Sequence, residues 1–284
     1  MCSSDLTDNN AGSGNVDLSA ATGGIRLAAD VSINTDAAGA GGGGAASFGS
    51  AINGTAAGTQ ALTISTANQQ VVLPAVGQST ALKSLTVTTT GGAVLNGSVR
   101  TDNTVGSGDV NLSGVAGGIT LGADVTLNTD AGVNGSGGAV SLGSALNASV
   151  AGAQALTVTA GNGAVTLGAA GQTAALKSLS VSTGGVTTLN GSVSTGGAAT
   201  GGNVTFSGAT GGVVLGADVS INSNAGASAT GGAIDFGSAA VNATAAGQQA
   251  LALQSGNGAV TLGSVGQATA LKSLTVASSG QTVL

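Results

Sequence analysis

Three pairs of oxygen-bearing side chains recur along this chain at one spacing: Asp30/Asp36, Asp124/Asp130 and Asp218/Asn224. Two carboxylates held close together suggest two kinds of chemistry. On either side of a glycosidic bond they would act as acid and base or nucleophile in sugar hydrolysis. Gathered on a cation they would bind calcium, which takes oxygen ligands. The third pair lacks its second carboxylate, so a reaction could not depend on it, and the chain has no Trp or Tyr to stack on a sugar. A calcium repeat of the form Gly-Gly-x-Gly-x-Asp is also missing. For Asp30, Asp124 and Asp218, the weak calcium candidates, the plainer expectation is a corner cap, in which each carboxylate accepts a local backbone hydrogen bond.

Other chemistries find fewer residues still. There is no His to act as a base, and Cys2 is the single Cys, so neither a nucleophilic triad nor a zinc site can be assembled. No Gly-x-x-x-x-Gly-Lys-Ser/Thr phosphate loop occurs. These absences lead to the expectation of no catalytic residue, no cofactor and no enzyme. Lys83, Lys177 and Lys272 recur once per copy. Read at four turns per copy they would lie about 19 Å apart, too far to share a ligand, and a solvated cation that discourages sideways strand pairing is expected instead. Eight Asn-x-Ser/Thr sites, among them Asn96, Asn147, Asn190 and Asn242, match the glycosylation pattern, as duplication of an Asn-, Ser- and Thr-rich chain would produce in any case. Thr-x-Thr runs such as Thr86-Val87-Thr88 raise an ice-binding face, but the runs starting at Leu179 and Leu251 interrupt the Thr row.

The elements that must carry these residues are unusual in composition. Of 284 residues 53 are Gly, and all 11 acidic residues are Asp. Charged residues are 6%, against about 25% in ordinary soluble domains. Bulky side chains that fill a wide core are nearly missing. A mean hydropathy of +0.42, with Val, Leu and Ile at regular places, separates the chain from disordered sequences. Five cations against a net charge of −6 give no basic stripe for nucleic acid. No apolar run reaches the roughly 20 residues of a membrane-spanning helix.

Internal repetition explains the pattern. Ala81-Leu82-Lys83-Ser84-Leu85 returns at 175–179 and 270–274, and Ala29-Asp30-Val31-Ser32-Ile33-Asn34 returns at 123–128 and 217–222. The period is 94 residues, once 95. Short runs alternate apolar and polar residues, the mark of strands with one buried face, and no run has a helical period. Counterparts assign the faces. Leu18, Leu112 and Phe206 exchange only Leu for Phe, as do Phe48, Leu142 and Phe236, so these point inward. Arg26, Thr120 and Val214, and Ser47, Ser141 and Asp235, admit charge and point outward.

The expected fold is therefore all-β, a right-handed parallel β-helix (β-solenoid). Dividing each 94-residue unit into about four turns gives about 12 turns, a rod of roughly 55 to 60 Å at the usual strand spacing. Residues 1–6 match no repeat, resemble translated adapter sequence, and are set aside as a non-native artefact. Residues 7–284 form one solenoid: a partial first copy to about 81, a second over 82–175, a third over 176–270, and the start of the next over 271–284. Pro74, whose counterparts are Gly168 and Gly263, is expected at a corner because it cannot donate to a ladder.

The run Gly-Ala-Gln-Ala-Leu-Thr-Val-Thr-Ala-Gly-Asn-Gly-Ala-Val-Thr-Leu-Gly-Ala at 152–169 resembles the repeat region of filamentous haemagglutinin-like exoproteins. So do Thr188-Leu189-Asn190-Gly191-Ser192-Val193 and Leu215-Gly216-Ala217-Asp218-Val219, and the resemblance extends over residues 7–284. These are large adhesins of Gram-negative bacteria, exported by two-partner secretion or as autotransporter passengers. The resemblance implies a secreted, cell-surface stalk, export through an outer-membrane barrel, an unknown host or cell-surface receptor, possible self-association, and a role in adhesion or biofilm. A non-adhesive surface-layer or matrix scaffold is the alternative, with ice-binding and polysaccharide-active solenoids behind it.

Overall fold

The structure, a computed structural model, describes residues 14–35, 42–102, 108–132, 136–226 and 230–284. The expected artefact at residues 1–6 and Asp36 lie outside them. The chain divides into two compact units, Met1–Ser144 and Ala145–Leu284. The described residues hold strands and no helix, and every strand pairing in them is parallel. No helix among them is long and apolar enough to cross a membrane.

The strands of the first unit are β1 (Val16–Leu18), β2 (Ile25–Leu27), β3 (Val31–Asn34), β4 (Ala46–Phe48), β5 (Ile52–Gly54), β6 (Ala61–Ser65), β7 (Val71–Leu73), β8 (Ser84–Thr89), β9 (Ala93–Leu95), β10 (Val99–Arg100), β11 (Val110–Val115), β12 (Ile119–Leu121), β13 (Val125–Asn128) and β14 (Val140–Leu142). They fall on three ladders. Ladder I pairs β1 with β4, sets β4 beside β7, and continues through β9 to β12. Ladder II runs β2, β5, a single bridge at Val76, β10 and β13. Ladder III runs β3, β6, β8, β11 and β14.

The strands of the second unit are β15 (Leu146–Ala148), β16 (Leu156–Thr159), β17 (Val165–Leu167), β18 (Leu179–Thr183), β19 (Thr187–Leu189), β20 (Val193–Ser194), β21 (Val204–Ala209), β22 (Val213–Leu215), β23 (Val219–Asn222), β24 (Ile234–Asp235), β25 (Val241–Ala243), β26 (Ala250–Gly256), β27 (Val260–Thr261), β28 (Ser273–Ser278) and β29 (Thr282–Val283). Ladder IV runs β15, a bridge at Ala170, β20, β23, β26 and β28. Ladder V runs β16, β18, β21, β24, β27 and β29. Ladder VI runs β17, β19, β22, β25 and a bridge at Val265.

Each unit is thus a stack of coils with three strands per coil, a β-solenoid. Parallel pairing between coils satisfies the backbone N–H and C=O groups, so no wide side-chain core is needed. Inward residues stack on their own kind along each ladder. Leu62, Leu85, Val110 and Val140 form one such row and Leu156, Leu179, Val204, Ile234 and Val260 another, all essentially buried. A buried aliphatic side chain contributes about 1.5–3 kcal/mol by transfer, and every coil contributes several.

The coil count differs from the expected four turns per copy. Between Val16 and its counterpart Val110, 94 residues on, run the ten strands β1 to β10 and the Val76 bridge. Eleven strand positions on three ladders make three and two-thirds coils, or about 26 residues each, since 94 × 3/11 is about 26. The whole is about ten coils instead of about 12. One consequence is that counterparts never share a ladder within a unit. β1 is on ladder I and its counterpart β11 on ladder III; β2 is on II and β12 on I. In the second unit β18 is on V and β28 on IV, while β19 is on VI and β29 on V. Each copy is offset by one ladder from the copy before it.

The predicted faces hold with two exceptions at the outer coil. Leu112, Phe206, Leu142 and Phe236 are buried, and Thr120, Val214, Ser141 and Asp235 face out. Leu18 is 37% exposed and Phe48 half-buried; among the described residues β1 and β2 have a partner strand on one side only. Pro74 follows β7 directly, at the corner that leads to the Val76 bridge.

Candidate functional site

The predicted aspartates tie one coil to the next. Asp30 Oδ1 accepts the Ala61 N–H at 2.9 Å and Asp218 Oδ1 accepts the Ala250 N–H at 2.8 Å. These donors lie in the following coil, which corrects the expected local cap: the carboxylate reaches along the stack instead of around its own corner. Asp109 does the same for Ala139, and at the matching place in the other copies Asn15 and Asn203 serve Ala45 and Ala233. Since Asp and Asn interchange there, the role asks for an acceptor oxygen and not for charge. Asp124 makes its own interaction as well. No cluster of three or more His, Cys, Asp or Glu suited to a metal occurs among the described residues.

Residues that sequence reasoning passed over turn out to carry more of the stack. Asn53 Oδ1 accepts two N–H groups of the next coil, from Ser79 and Thr80. Its counterparts repeat the clamp, Asn147 on Thr173 and Ala174, and Asn242 on Ala268 and Thr269. Gln60 Oε1 gathers the Thr55 and Ala56 N–H groups at a corner, as Gln154 does for Val150 and Gln249 for Ala245. Gln78 Nε2 donates to the carbonyls of Val76 and Ser98 in adjacent coils, and Gln172 to those of Ala170 and Ser192. The available signal is the recurrence of these Asn and Gln residues in each copy, and at Asn147 and Asn242 it coincides with the glycosylation pattern.

Buried hydroxyls close the loops. Thr35 Oγ1 donates to the Gly44 carbonyl, Thr129 to Gly138 and Ser223 to Gly232, each at 2.6–2.7 Å. The Gly44, Gly138 and Gly232 N–H groups donate back to the carbonyls of the same three residues. A polar group in the core is tolerated because it is paired.

The remaining predicted residues are on the surface. Lys83, Lys177 and Lys272 are exposed, each two residues before a Leu of the strand that follows. Lys177 leads into ladder V and Lys272 into ladder IV, so these two lie at different corners and make no common row. Asn96 and Asn190 are exposed, while the serines of their motifs are engaged: Ser98 Oγ accepts the Thr126 N–H and Ser192 Oγ the Ser220 N–H. Outward residues along ladder V read Thr157, Ser180, Thr205, Asp235 and Thr261, a hydroxyl row interrupted by a carboxylate. The Asp17 carboxyl is held below the ordinary carboxylate range by hydrogen bonds from Ser19, the hydroxyl first and the N–H at 2.9 Å second.

A groove of about 510 Å³ in the second unit runs past Gln172, Thr173, Ser194 and Asn222 over a floor of Ala and Gly. Its polar groups already have duties. Gln172 is spent as above and also reaches Ser194, the Thr173 N–H is held by Asn147, and Asn222 accepts the Asn224 N–H. Two smaller grooves near Asp218 and near Arg26 carry no acid–base pair.

Fold and surface together define a parallel β-solenoid whose recurring polar side chains hold coil to coil. Set against known protein families, curated proteins and solved structures, the chain has no match.

Proposed function

We propose that this chain is a non-enzymatic stalk segment of a secreted bacterial surface exoprotein that works in adhesion or biofilm formation. The reading rests on the resemblance of 152–169, 188–193 and 215–219 to filamentous haemagglutinin-like repeats. The observation that carries it is the use of the recurring Asn, Gln and Asp side chains as ties between coils. Repetition of this kind adds length, and a surface of short polar side chains displays that length to other molecules. Export through an outer-membrane barrel and a location at the outer cell surface follow from the same resemblance.

Purified chain coated on beads tests the reading. Beads that bind host or bacterial cells above an albumin control support an adhesive side surface. Beads that bind no cell, while a longer protein bearing this segment does, contradict adhesion by the segment and favour the passive scaffold.

A further inference from the structure

We infer that Asn96 and Asn190 are sites of spontaneous deamidation, at which the folded chain converts an exposed carboxamide to a carboxylate while its other described Asn-Gly pairs are held back. The inference rests on backbone hydrogen bonding, independently of adhesion.

Six Asn-Gly pairs occur in the sequence, beginning at Asn53, Asn96, Asn134, Asn162, Asn190 and Asn257. Asn134 lies outside the described residues. An Asn before Gly is open to attack by the glycine nitrogen on the Asn side chain, because Gly is conformationally free and has no Cβ in the way. That nitrogen must first lose its proton. An N–H donated to a carbonyl is held in place and gives up its proton only after the bond has opened.

Three pairs are held in this way. The Gly54 N–H donates to the Thr80 carbonyl in the next coil, and the Asn53 carboxamide is itself occupied by the Ser79 and Thr80 N–H groups. The Gly163 N–H donates to the Ala160 carbonyl at 2.6 Å, and the Gly258 N–H to the Ser255 carbonyl at 2.9 Å. Gly97 and Gly191 differ. Neither N–H has an acceptor among the described residues, and the exposed carboxamides of Asn96 and Asn190 make no hydrogen bond there.

Packing between coils keeps both pairs as they are. A Cβ at Gly97 would lie 2.6 Å from the nitrogen and 2.7 Å from the Cα of Ala75 in the preceding coil. At Gly191 it would lie 2.5 Å and 2.7 Å from the same atoms of Ala169. A side chain does not fit at either place unless the coils move apart. On the other side, a Cβ at Gly122 or Gly216 would run into Oδ1 of Asn96 or Asn190, so each carboxamide lies over a glycine of the following coil.

The reaction needs only water and base. A base takes the Gly97 amide proton, and the nitrogen bonds to Asn96 Cγ. The Cγ–Nδ2 bond breaks, and ammonia leaves with a proton from water. Water then opens the succinimide ring at one of its two carbonyls, which leaves Asp or isoaspartate; nothing is oxidised or reduced. The isoaspartate route also lengthens the main chain by one bond at the turn where Gly97 rests on Ala75. The same steps apply at Asn190 and Gly191. Each event adds one negative charge to a chain whose net charge is −6.

A time course in warm, mildly alkaline buffer is the test, run on the folded chain and on the chain unfolded in guanidinium chloride. Digestion and mass spectrometry then separate Asn, Asp and isoaspartate at each position. The tryptic peptide of residues 84–100 has Asn96 as its only Asn, and fragment ions resolve the others. In the folded chain Asn96 and Asn190 should convert at least about threefold faster than Asn53, Asn162 and Asn257, the factor that one net hydrogen bond implies. In denaturant the five rates should converge. Equal conversion at the five positions of the folded chain, or a gap of the same size in denaturant, would overturn the inference. So would Asn96 and Asn190 that stay amides in the folded chain and convert only in denaturant.

Discussion

The rings of Phe206 and Phe236 stack 5.2 Å apart at 24° inside the second unit, and both are fully buried. They sit on successive rungs of ladder V, where Val204 pairs with Ile234. Their counterparts in the preceding copy are Leu112 and Leu142, so each site accepts either shape. Phe206→Leu should cost less than about 1.5 kcal/mol. Phe206→Ala should cost about 3–5 kcal/mol through lost transfer energy and a cavity. Coils contact only their neighbours, so the loss should be local. Hydrogen exchange should speed up first at the amides of β21 and β24.

Thr187 gives the opposite sign. Its side chain is 0% exposed, its hydroxyl has no hydrogen-bond partner, and its ladder neighbours are Val165 and Val213. A buried hydroxyl without a partner costs about 1–3 kcal/mol. Thr187→Val keeps the shape and removes that cost, so thermal denaturation should move upward. An unchanged or lower midpoint would show that the hydroxyl is satisfied in solution.

Gly171 and Gly266 are counterparts with the same backbone, at φ +72° and +68°. A side chain at either meets the left-handed penalty, roughly 1–2 kcal/mol. At Gly171 a Cβ would also run into the Ser194 carbonyl oxygen of the next coil, whereas at Gly266 the nearest atom, Ala270 Cα, is 3.3 Å away. Gly171→Ala should therefore destabilise several times more than Gly266→Ala, read as the difference between their urea midpoints.

The coil-to-coil role of Asp218 separates it from a calcium ligand. Asp218→Asn keeps an acceptor for the Ala250 N–H and should leave stability nearly unchanged. Asp218→Ala strands that donor and should cost about 1–3 kcal/mol. Calcium or a chelator should leave the wild-type melting temperature where it is. A calcium-dependent rise lost in Asp218→Asn would restore the metal reading.

Strand faces were legible because side chains alternate with period two, and Leu–Phe exchange at Leu112/Phe206 and Leu142/Phe236 marked the interior directly. The coil count was not. Val76, Ala170 and Val265 are one-residue bridges, too short to show any alternation. Without them the eleven strand positions of one copy cannot be counted, and the one-ladder offset stays hidden. The ties of Asn53, Asn147 and Asn242 were hidden for a related reason: their partners lie 26 or 27 residues ahead, and that distance is known only once the coil length is. Thr35 and Ser223 are short polar residues whose burial depends on carbonyl partners nine residues ahead, at Gly44 and Gly232, and that pairing has no mark in the local pattern.

Pairs of spin labels on ladder V, with Cys2 replaced by Ser, test the stacked-coil account most directly. Outward residues Ser180 and Thr205 are in register on adjacent coils, as are Thr205 and Asp235. At a strand spacing of about 4.8 Å both label pairs should give spectra broadened by direct spin–spin interaction, and each single label should not. Unbroadened spectra from both pairs would contradict the parallel register from which the rest follows.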